Sequence, residues 1–382
     1  MTSEDQKSSK RRLLFVFGTR PEALKCYPVI RQALQSKELV TQVCVTAQHR
    51  EMLDQVIELT NMPVDFDLDM MSPGQTLFES TSRILSKMEA VIEASKPDLV
   101  LVQGDTTTAM TAALSAFYKR IPVAHIEAGL RSGDIYSPWP EEANRKIVGD
   151  LASLHFAPTP EARDNLLAEG KGPARVFVTG NTVIDTLLHF SRQLDEDDVL
   201  NTKIAEKFPF LDAGKRLILV TGHRRENFDG GVERICAALS RLATRGDVQI
   251  VYPVHPNPNV RQPVEAALSQ SADIHLIDPQ DYLPFLFLQK SSTLILTDSG
   301  GVQEEAPSLG KPVLVMRENT ERPEGVTAGT AKLVGTDTEL IVREATRLLD
   351  DPEAYGQMAR QHNPYGDGLA SQRIIEELIR YD

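Results

Sequence analysis

A short run of small and acidic residues, Asp298–Gly301 (Asp-Ser-Gly-Gly), could hold a phosphate group. The apolar run Leu294–Leu296 in front of it predicts a buried strand, and a helical pattern resumes from Val302. Glycines let the backbone approach an anion, a serine hydroxyl can donate to it, and the free N–H groups of a helix's first turn point towards it. The run therefore predicts a phosphate cradle, although an ordinary strand–turn–helix junction with a glycine helix start would look the same.

The residues after this turn could bind the rest of a nucleotide. Glu304 and Glu305 fall in the early turns of the predicted helix, and a carboxylate one turn beyond a phosphate site suits a sugar diol, as in dinucleotide-binding folds. A second strand, Pro312–Val315, and a charged loop, Arg317–Glu324, follow. Together these features predict a site for a nucleotide that carries phosphates and a ribose.

Charged residues also follow predicted strands in the first half of the chain. Arg20 and Lys25 come after the apolar strand Leu13–Phe17, and Asp105 comes after Asp98–Val102. Parallel α/β sheets bind ligands at the carboxyl ends of their strands, so these positions suit ligand-binding groups. The alternatives are a solvated helix lysine for Lys25 and a helix N-cap for Asp105, a role that aspartate performs well.

A loop of unusual composition follows the next strand. Ile121–Ile126 leads into Glu127, and the loop that continues to Glu141 contains Trp139, the only tryptophan of the chain, between two prolines. Such a loop is typical of a functional element rather than of a passive connector. His125 falls within the strand pattern, and we interpret it as a core residue rather than a catalytic one.

The second half of the chain places a histidine in a comparable position. The buried strand Arg216–Val220 ends in the loop Thr221–Asn227, in which His223 stands beside two arginines. Among the 8 histidines of the chain, His223 is the strongest candidate for chemistry, because it follows a strand end next to positive charge. A purely structural role for this histidine is the alternative.

Length and composition predict a soluble globular protein of two domains. The chain has 382 residues, of which 41% are hydrophobic and 25% are charged. A formal net charge of −13 argues against nucleic acid as a partner, so an anionic ligand must be held by locally concentrated cations. Three cysteines in apolar contexts, without metal-binding spacing, predict buried thiols in a reducing compartment. No apolar run approaches ~18 residues and the N-terminus lacks the apolar region of a signal peptide, so we expect no membrane span.

Regular alternation of strands and helices predicts an α/β protein built from two doubly wound, Rossmann-like domains. We expect a disordered N-terminal extension (residues 1–11), a first domain (12–190), a crossover linker (191–215), a second domain (216–363) and a C-terminal helix (364–382) that packs back on the first domain. Ligand-like groups at the strand ends of both domains imply that the two domains face each other across an active-site cleft. Neither G-x-G-x-x-G nor G-x-x-x-x-G-K-[ST] occurs, which argues against redox dinucleotides and ATP hydrolysis.

A series of motifs runs in order from about Arg12 to the C-terminus: FGTRPEALK, AQHREMLDQV, GDTTT, HIEAGLRSGD, SPWPEEANR, TGNTVIDTL, TGHRREN, DPQDYLPF, TDSGGVQEEAPSLGKPVL and RENTERPE. The series resembles the bacterial non-hydrolysing UDP-N-acetylglucosamine 2-epimerases. The resemblance implies a GT-B-like fold, a cytoplasmic homodimer, no metal and no redox cofactor. It also implies interconversion of UDP-GlcNAc with UDP-ManNAc, by elimination of UDP to a 2-acetamidoglucal and readdition, which supplies ManNAc units for surface polysaccharide.

The resemblance also implies which residues bind the nucleotide. Phosphate contacts are expected from a group of cations and turn residues: Arg20, Lys25, His223, Ser299, Gly300 and Gly301. Contacts with the nucleoside are expected from Gln280 and Phe285 for uracil, from Glu305 for the ribose, and from Arg322 as positive charge near the nucleotide.

The catalytic residues that the resemblance implies are His223 and three carboxylates that would surround the sugar: Asp105, Glu127 and Glu141. These carboxylates would act as acid, base and cation stabiliser, and the sequence leaves open which one faces which side of C2. A second UDP-GlcNAc, bound as an allosteric activator next to the active site, is expected at four positions: Gln48, His49, Arg224 and His255.

Other functions stay open at this point. A GT-B glycosyltransferase would transfer the sugar to an acceptor, and a hydrolysing epimerase would release UDP and free ManNAc. A nucleotide-sugar-binding regulator without turnover would keep the phosphate turn of the second domain but would need no cluster of acids. The acids of the first domain and the loop around His223 therefore favour catalysis.

Overall fold

The structure, a computed structural model, describes residues 10–47, 50–70 and 74–381. It divides into two compact units: the first ends at Thr186 and resumes from Gly366, and the second spans Leu187–Tyr365. Each unit is built on its own parallel β-sheet, as the alternation of apolar runs and helical patterns predicts. Strands of such sheets are covered on both faces, and the first strand accordingly has a fully buried apolar run, Leu13–Phe17.

Within the described residues, seven parallel strands form the sheet of the first unit. Their bounds are β1 Arg11–Phe17, β2 Leu39–Val45, β3 Phe66–Asp67, β4 Leu99–Gln103, β5 Val123–Ile126, β6 Leu154–Ala157 and β7 Val176–Val178. Their order across the sheet is β3-β2-β1-β4-β5-β6-β7, so the direction of winding reverses between β1 and β4. The loops after these two strands flank a crevice at the carboxyl edge of the sheet, where doubly wound folds bind ligands.

Helices connect the strands of the first unit. Their bounds are α1 Arg20–Gln35, α2 Arg50–Thr60, α3 Leu77–Ser95, α4 Thr107–Tyr118, α5 Glu141–Leu151, α6 Pro160–Ala168 and α7 Thr182–Glu196, with a 3₁₀ turn at Pro173–Arg175. The start of α1 follows from its sequence, because Thr19 and Glu22 form a reciprocal capping box and Pro21 occupies the first turn.

The second unit repeats this plan. Among the residues that the structure describes, six parallel strands form its sheet. Their bounds are β8 Arg216–Thr221, β9 Val248–Pro253, β10 Ile274–Ile277, β11 Leu294–Thr297, β12 Val313–Val315 and β13 Ala331–Leu333. Their order is β10-β9-β8-β11-β12-β13, so the winding reverses between β8 and β11. The loops after these two strands carry His223 and the predicted phosphate turn, respectively.

The helices of the second unit include two short ones near the phosphate turn. Their bounds are α8 Asp198–Ala205, α9 Gly231–Ala243, α10 Pro258–Leu268, α11 Tyr282–Ser291, α12 Gly300–Glu305, α13 Pro323–Thr327, α14 Thr338–Asp350 and α15 Pro352–Ala359, with 3₁₀ turns at Arg225–Asn227 and Ala306–Leu309. The core of the unit joins strand residues such as Ile250 and Leu296 to Leu239 of α9. In the part of the chain that the structure describes, every helix is too short or too polar to cross a membrane.

The final helix, α16 Ala370–Arg380, belongs to the first unit. Its N-terminus is buried, and the carboxylate of Asp185 accepts hydrogen bonds from the backbone N–H groups of Ala370 (3.2 Å) and Ser371 (2.8 Å) and from the Ser371 hydroxyl (2.6 Å). The side chain of Gln32 in α1 also donates to the Ser371 hydroxyl, at 3.0 Å. These contacts satisfy helix-end N–H groups that would otherwise be buried without a partner.

The unit boundaries differ in detail from the expected domain limits. β1 begins at Arg11, inside the segment 1–11 that we expected to be disordered; residues 1–9 lie outside the described part of the chain. The segment 191–215, expected as a linker, contains the end of α7 and the whole of α8, and the division between the units falls earlier, after Thr186. The acidic run that interrupts the sequence pattern does not end the helical structure, because Asp197 serves as the N-cap of α8.

Candidate active site

A buried carboxylate ties together the two loops at the winding reversal of the first sheet. Oε2 of Glu22 accepts from the backbone N–H groups of Gly18 (3.0 Å) and Thr19 (2.8 Å) and from the Thr19 hydroxyl (2.8 Å). Oε1 accepts from the hydroxyl of Thr106, in the loop after β4, at 2.6 Å. Burial raises the pKa of Glu22 to about 7, even though these donors act in the opposite direction. The carboxylate therefore fixes the loop that begins α1 against the loop that begins α4.

The loop after β5 places Glu127 against Lys25 of α1. The two carboxylate oxygens of Glu127 lie 2.6 and 2.7 Å from the Lys25 ammonium, and the side-chain amide of Gln103 also donates to Glu127. Glu127 has a φ of 63°, in the left-handed region that residues other than glycine seldom adopt. Such strain persists where surrounding contacts fix the residue, which is common at functional sites. Glu127 is thus held in one orientation, nearly buried, beside a positive charge.

An arginine links two further carboxylates. The guanidinium of Arg145 lies 2.7 Å from the Asp105 carboxylate and 2.8 Å from the Glu142 carboxylate. Glu142 is fully buried and also accepts from the backbone N–H of Ser132 at 3.1 Å, while Asn144 donates to the backbone carbonyl of Asp105 at 2.8 Å. The loop that carries Asp105 is therefore held to α5 by both its side chain and its backbone.

Glu141 is the first residue of α5 and follows the tryptophan loop. Its side chain is half-buried, and its carboxylate forms no ion pair with any described residue. The preceding loop exposes Tyr136 and Trp139, and the peptide bonds before Pro138 and Pro140 are cis. Glu141 thus differs from Asp105 and Glu127, which both have a cation within ion-pair distance.

His125 is a core residue, as the sequence predicts. It lies buried on β5 opposite His155 of β6, and its Nε2 donates to the carbonyl of Gly104 at 2.7 Å. Burial lowers the pKa of His125 to about 3 and that of His155 to about 4. Both rings are therefore neutral near neutral pH, and His125 supports the loop after β4 from inside the sheet.

A second buried carboxylate organises the winding reversal of the other sheet. Asp298, at the end of β11, accepts from the backbone N–H groups of His223 (2.8 Å) and Arg224 (2.9 Å) and from the side chain of Asn227 (3.3 Å). Its other oxygen lies 3.6 Å from Nδ1 of His223, whose ring stacks on that of His255 with centroids 5.3 Å apart. Burial lowers the pKa of His223, and Asp298 opposes that shift. Asp298 thus fixes the loop after β8 beside the phosphate turn.

The predicted phosphate turn forms the start of the short helix α12. Gly300 is the first helical residue, two positions earlier than the sequence predicts. Ser299 is the N-cap, but its side chain makes no capping hydrogen bond. A Cβ on Gly300 would lie 3.2 Å from the carboxylate of Glu321, so a side chain here would press on that carboxylate. The turn therefore combines a helix start at a buried glycine, an exposed Gly301 and a serine hydroxyl that makes no cap, which suits an anion cradle.

Arginines and glutamates form a network in front of this turn. Glu321 lies 3.0 Å from the guanidinium of Arg224 and 2.5 Å from that of Arg317, which also pairs with Glu226 at 2.6 Å. Arg224 and Arg317 supply positive charge in a protein that is acidic as a whole, and each already has a carboxylate partner in this structure.

The loop before α13 is also fixed by polar contacts. Arg322 donates to the buried carboxylate of Glu304, and its backbone carbonyl accepts from the Tyr365 hydroxyl at 3.1 Å. The same hydroxyl accepts from the backbone N–H of Gly325 at 3.0 Å. Arg322 therefore has a defined place close to α12, because Glu304 belongs to that helix.

The predicted nucleoside contacts lie on and beside α11 and α12. Gln280 is half-buried and donates to the carbonyl of Asp278 at 2.7 Å, and Phe285 is half-buried on α11. Glu305 is nearly buried at the end of α12 and accepts from the side chain of Gln289 at 3.3 Å. In the described part of the chain, no group of three His, Cys, Asp or Glu side chains could hold a metal ion.

Comparison with known proteins identifies the family. A model of the UDP-N-acetylglucosamine 2-epimerase family matches residues 32–379. The chain is 58% identical over 368 residues to UDP-N-acetylglucosamine 2-epimerase of Escherichia coli strain K12, which covers 96% of this chain and 98% of that protein. The chain belongs to the UDP-N-acetylglucosamine 2-epimerase family.

Solved structures of 2-epimerases have the same fold. The crystal structure of UDP-GlcNAc 2-epimerase from Neisseria meningitidis bound to UDP-GlcNAc is similar to this chain with a TM-score of 0.90 at 50% identity, over 97% of this chain and 100% of that one. The enzyme from Methanocaldococcus jannaschii in complex with UDP-GlcNAc and UDP has a TM-score of 0.80 at 34% identity, over 97% and 99% of the two chains. The predicted GT-B-like fold with two doubly wound, Rossmann-like domains is therefore confirmed.

Within this 2-epimerase chain, the predicted site residues fall into two groups, one in each unit. The first group lies at or just beyond the carboxyl ends of β1, β4 and β5 and at the start of α5: Arg20, Lys25, Asp105, Glu127 and Glu141. The second group lies around the ends of β8, β9 and β11 and in the adjoining helices and loops: His223, Arg224, His255, Gln280, Phe285, Ser299, Gly300, Gly301, Glu305 and Arg322. Gln48 and His49 lie outside the described residues.

Four charged residues that position these groups have no individual role in the prediction from sequence: Glu22, Glu142, Arg145 and Glu321. Asp298 is predicted as part of the phosphate turn, and it also accepts hydrogen bonds from the loop of His223. For Glu22 a clue was present, because the spacing of Thr19 and Glu22 is that of a capping box. Glu142 and Arg145 are three residues apart and Arg317 and Glu321 are four apart, but the partners of these residues in other loops are distant in the chain. Asp105 and Arg145, for example, are 40 residues apart.

We expect Glu22→Gln to gain stability relative to the wild type as the pH rises. In the folded chain the pKa of Glu22 is about 7 against an ordinary value of 4.5, so the folded state binds more protons than the unfolded state between these values. The stability that neutral Glu22 provides is complete below about pH 4.5 and is lost as the pH rises through about 7. Glutamine is neutral throughout; its carbonyl can accept from Gly18 and Thr19, and its amide can donate to Thr106.

The difference in unfolding free energy between Glu22→Gln and the wild type should grow by about 2–3 kcal/mol from pH 5 to pH 8, measured by urea denaturation. Glu79→Gln is the matched control, because Glu79 occupies the same capping-box position in α3 but is exposed and has a lowered pKa. That control should be slightly less stable than the wild type at both pH values. A Glu22→Gln difference that does not change with pH would contradict the assignment.

Proposed function

We propose that this protein inverts C2 of UDP-N-acetylglucosamine and so interconverts it with UDP-N-acetylmannosamine, without hydrolysing either. The observation that carries the proposal is the similarity over almost the whole chain to enzymes of that name, at 58% identity for the Escherichia coli protein. The two groups of site residues support it. Carboxylates gather at the winding reversal of the first unit, and a glycine turn with arginines gathers at that of the second.

The chemistry requires both acids and an anion site. The C2 proton is not acidic by itself, but weakening of the C1–O bond to UDP makes C1 cationic and acidifies that proton. A carboxylate takes the C2 proton while the C1–O electron pair leaves with the β-phosphate, which gives UDP and 2-acetamidoglucal. A proton then returns to the other face of C2, and UDP adds back to C1. The protein must stabilise the departing diphosphate and an oxocarbenium-like carbon together.

The carboxylates of the first unit suit three tasks. Asp105 and Glu127 lie in ion pairs with Arg145 and Lys25, at 2.7 and 2.6 Å, which suits groups that must carry negative charge near a cationic C1. Glu141 forms no ion pair with the described residues, so its carboxylate is not tied to a cation of the protein. Between them the three would supply the base, the acid and the cation stabiliser.

The second unit would bind most of the UDP. The diphosphate is assigned to Ser299–Gly301 and to His223, because the turn offers backbone N–H groups and Asp298 orients the histidine loop. Gln280 and Phe285 are assigned to uracil. A further set of residues completes the assignment: Glu305 for the ribose, Arg322 near the nucleotide, and Arg20 and Lys25 as the candidate phosphate contacts of the first unit.

The proposal is tested by incubating the protein with UDP-GlcNAc alone and following the sugar by proton NMR. UDP-ManNAc as the product is the expected result. Free ManNAc with UDP would indicate a hydrolysing epimerase. An absence of reaction would favour the two other functions, because a glycosyltransferase needs an acceptor and a regulator turns nothing over.

Isotope labels test the route. Product formed in D₂O should carry deuterium at C2, and an ¹⁸O label in the C1–O bridge should scramble into non-bridging positions, because the freed β-phosphate can rotate. A transient C3 ketone would give deuterium at C2 but leave the bridge label in place. Since hindered rotation could also preserve the bridge label, free UDP and 2-acetamidoglucal should be sought after long incubation. Deuterium without scrambling and without those products would contradict elimination.

Removing the acids should slow turnover without weakening UDP binding. Asp105→Asn, Glu127→Gln and Glu141→Gln keep the shape of each side chain but remove proton transfer and negative charge, and each should lose ~10²–10⁴ in kcat. The UDP Kd should stay near the wild-type value, because the assigned UDP contacts lie mainly elsewhere. Glu161→Gln, an exposed position on α6, serves as the control and should keep full activity. Near-normal turnover in all three variants would refute the assignment.

A second UDP-GlcNAc is proposed as an activator of the same enzyme. Two of the assigned residues support this, since His255 stacks on His223 and Arg224 follows it in the same loop. Gln48 and His49 complete the assigned set. A second nucleotide sugar beside the substrate would help to exclude water and so protect the 2-acetamidoglucal from it.

Activation should appear as a lag when the reaction starts from pure UDP-ManNAc, because no activator is present until some UDP-GlcNAc has formed. A trace of added UDP-GlcNAc should abolish the lag in the progress curve. Arg224→Ala should weaken this effect. A curve without a lag, unchanged by added UDP-GlcNAc, would remove the regulatory part of the proposal.

The family resemblance also leads us to propose a cytoplasmic homodimer that supplies ManNAc units for surface polysaccharide. Exposed aromatic side chains support the dimer: Phe78 on α3 is 90% exposed, and Phe117 and Tyr118 on the neighbouring helix α4 are 55% and 64% exposed. Exposed apolar groups on adjoining helices are typical of a surface that another protein chain covers.

A further inference from the structure

The carboxylate of Glu321 lies directly against the phosphate turn of the second unit. A Cβ built on Gly300, the first residue of α12, would be 3.2 Å from Oε1 of Glu321 and 3.9 Å from the Arg224 guanidinium. No other residue of the turn separates this carboxylate from the glycine. A protein carboxylate therefore stands at the place where the helix start and the arginine would attract an anion.

Glu321 bridges the two arginines of the network. Its Oε1 accepts from Arg224 at 3.0 Å, and its Oε2 accepts from Arg317 at 2.5 Å. Each oxygen thus takes one guanidinium, as two oxygens of a phosphate would. The cations nearest the turn are satisfied by an internal anion in this structure.

The two sides of this contact differ in how firmly they are held. Arg224 is anchored through its backbone N–H to Asp298, at 2.9 Å, and Arg317 is nearly buried and also pairs with Glu226. The side chains of Arg224 and Glu321 are exposed to a similar extent, 38% and 43%, but Arg224 also donates from Nε to the Asp298 carbonyl at 3.4 Å. A competing anion can therefore turn the glutamate out towards solvent while the arginines stay in place.

We propose that Glu321 is a built-in competitor for the phosphates of the nucleotide and sets how tightly UDP is held. The inference rests on the proposed function, which assigns the diphosphate to Ser299–Gly301. A diphosphate at the turn and the carboxylate of Glu321 repel each other, so UDP can bind there only by displacing this carboxylate. The displacement lowers the affinity for UDP, and it also releases UDP sooner, because most differences of affinity appear in the dissociation rate.

An orienting role for Glu321 predicts the opposite outcome. If its main effect were to align Arg224 and Arg317 for the phosphates, loss of its charge would weaken UDP binding. Competition predicts that the same change strengthens it. The direction of the change in Kd therefore separates the two roles.

The test is titration calorimetry of UDP and of uridine with the full-length wild type, Glu321→Gln, Glu321→Ala and Glu318→Gln. Glutamine keeps a hydrogen-bond acceptor for the arginines but removes the charge, and alanine removes both. Glu318 is exposed in the same loop, so Glu318→Gln changes the net charge equally without touching the network. We expect UDP to bind roughly tenfold more tightly to both Glu321 variants, which is about 1.4 kcal/mol, and as in the wild type to Glu318→Gln. Uridine, which lacks phosphates, should bind all four proteins alike.

Unchanged or weaker UDP binding by both Glu321 variants would overturn the inference while leaving the proposed function intact. Equal tightening by Glu318→Gln would overturn it as well, because the effect would then be one of overall charge. A wild type that binds neither UDP nor uridine would instead overturn the proposed function, and this inference with it. Thermal unfolding of each variant checks that the compared proteins are folded.

Discussion

Reversal of the winding direction in a parallel sheet separates two neighbouring loops, and both units of this protein are organised around such a point. In the first unit the reversal lies between β1 and β4, and in the second it lies between β8 and β11. In each crevice a buried carboxylate accepts hydrogen bonds from the adjoining loops. Glu22 accepts from the loops after β1 and β4, and Asp298, at the end of β11, accepts from the loop after β8. The ligand-binding groups depend on these two side chains for their positions.

Burial of a carboxylate costs desolvation free energy, and this cost restricts the arrangements that the surrounding loops can adopt. Removal of an unpaired carboxylate from water costs several kcal/mol, so such a group is stable only when several donors surround it. The pKa of Glu22 is raised to about 7 by burial although four donors reach it, which means that its hydrogen bonds only partly offset the lost hydration. Any movement of the loops would remove a donor and increase the imbalance. The donors and the carboxylate therefore hold one another in a single arrangement.

The sequence predicts the features of this protein that depend on neighbouring residues. Alternating apolar runs and helical patterns predict both sheets, and strand ends followed by Gly, Asp, Glu or His predict the two groups of candidate site residues. The predicted crossover 191–215 includes a short helix around Ile204, and the structure has α8 there, with Asp197 of the acidic run as its N-cap. Pairs that are distant in the chain escaped prediction: Lys25 and Glu127 are 102 residues apart, and Arg224 and Glu321 are 97 apart. No periodicity connects such residues, since only the order of strands in the sheet brings them together.

Almost every cation near the two crevices is paired with a carboxylate of the protein. Lys25 lies on Glu127, Arg145 on Asp105 and Glu142, Arg224 and Arg317 on Glu321, and Arg322 on Glu304. With a net charge of −13, long-range attraction cannot bring a diphosphate to the site. The proposed binding of UDP would therefore exchange carboxylate partners for phosphate oxygens at these cations. Under that proposal a paired cation has an anionic partner both before and after UDP binds, so the empty crevice does not have to hold that charge unpaired.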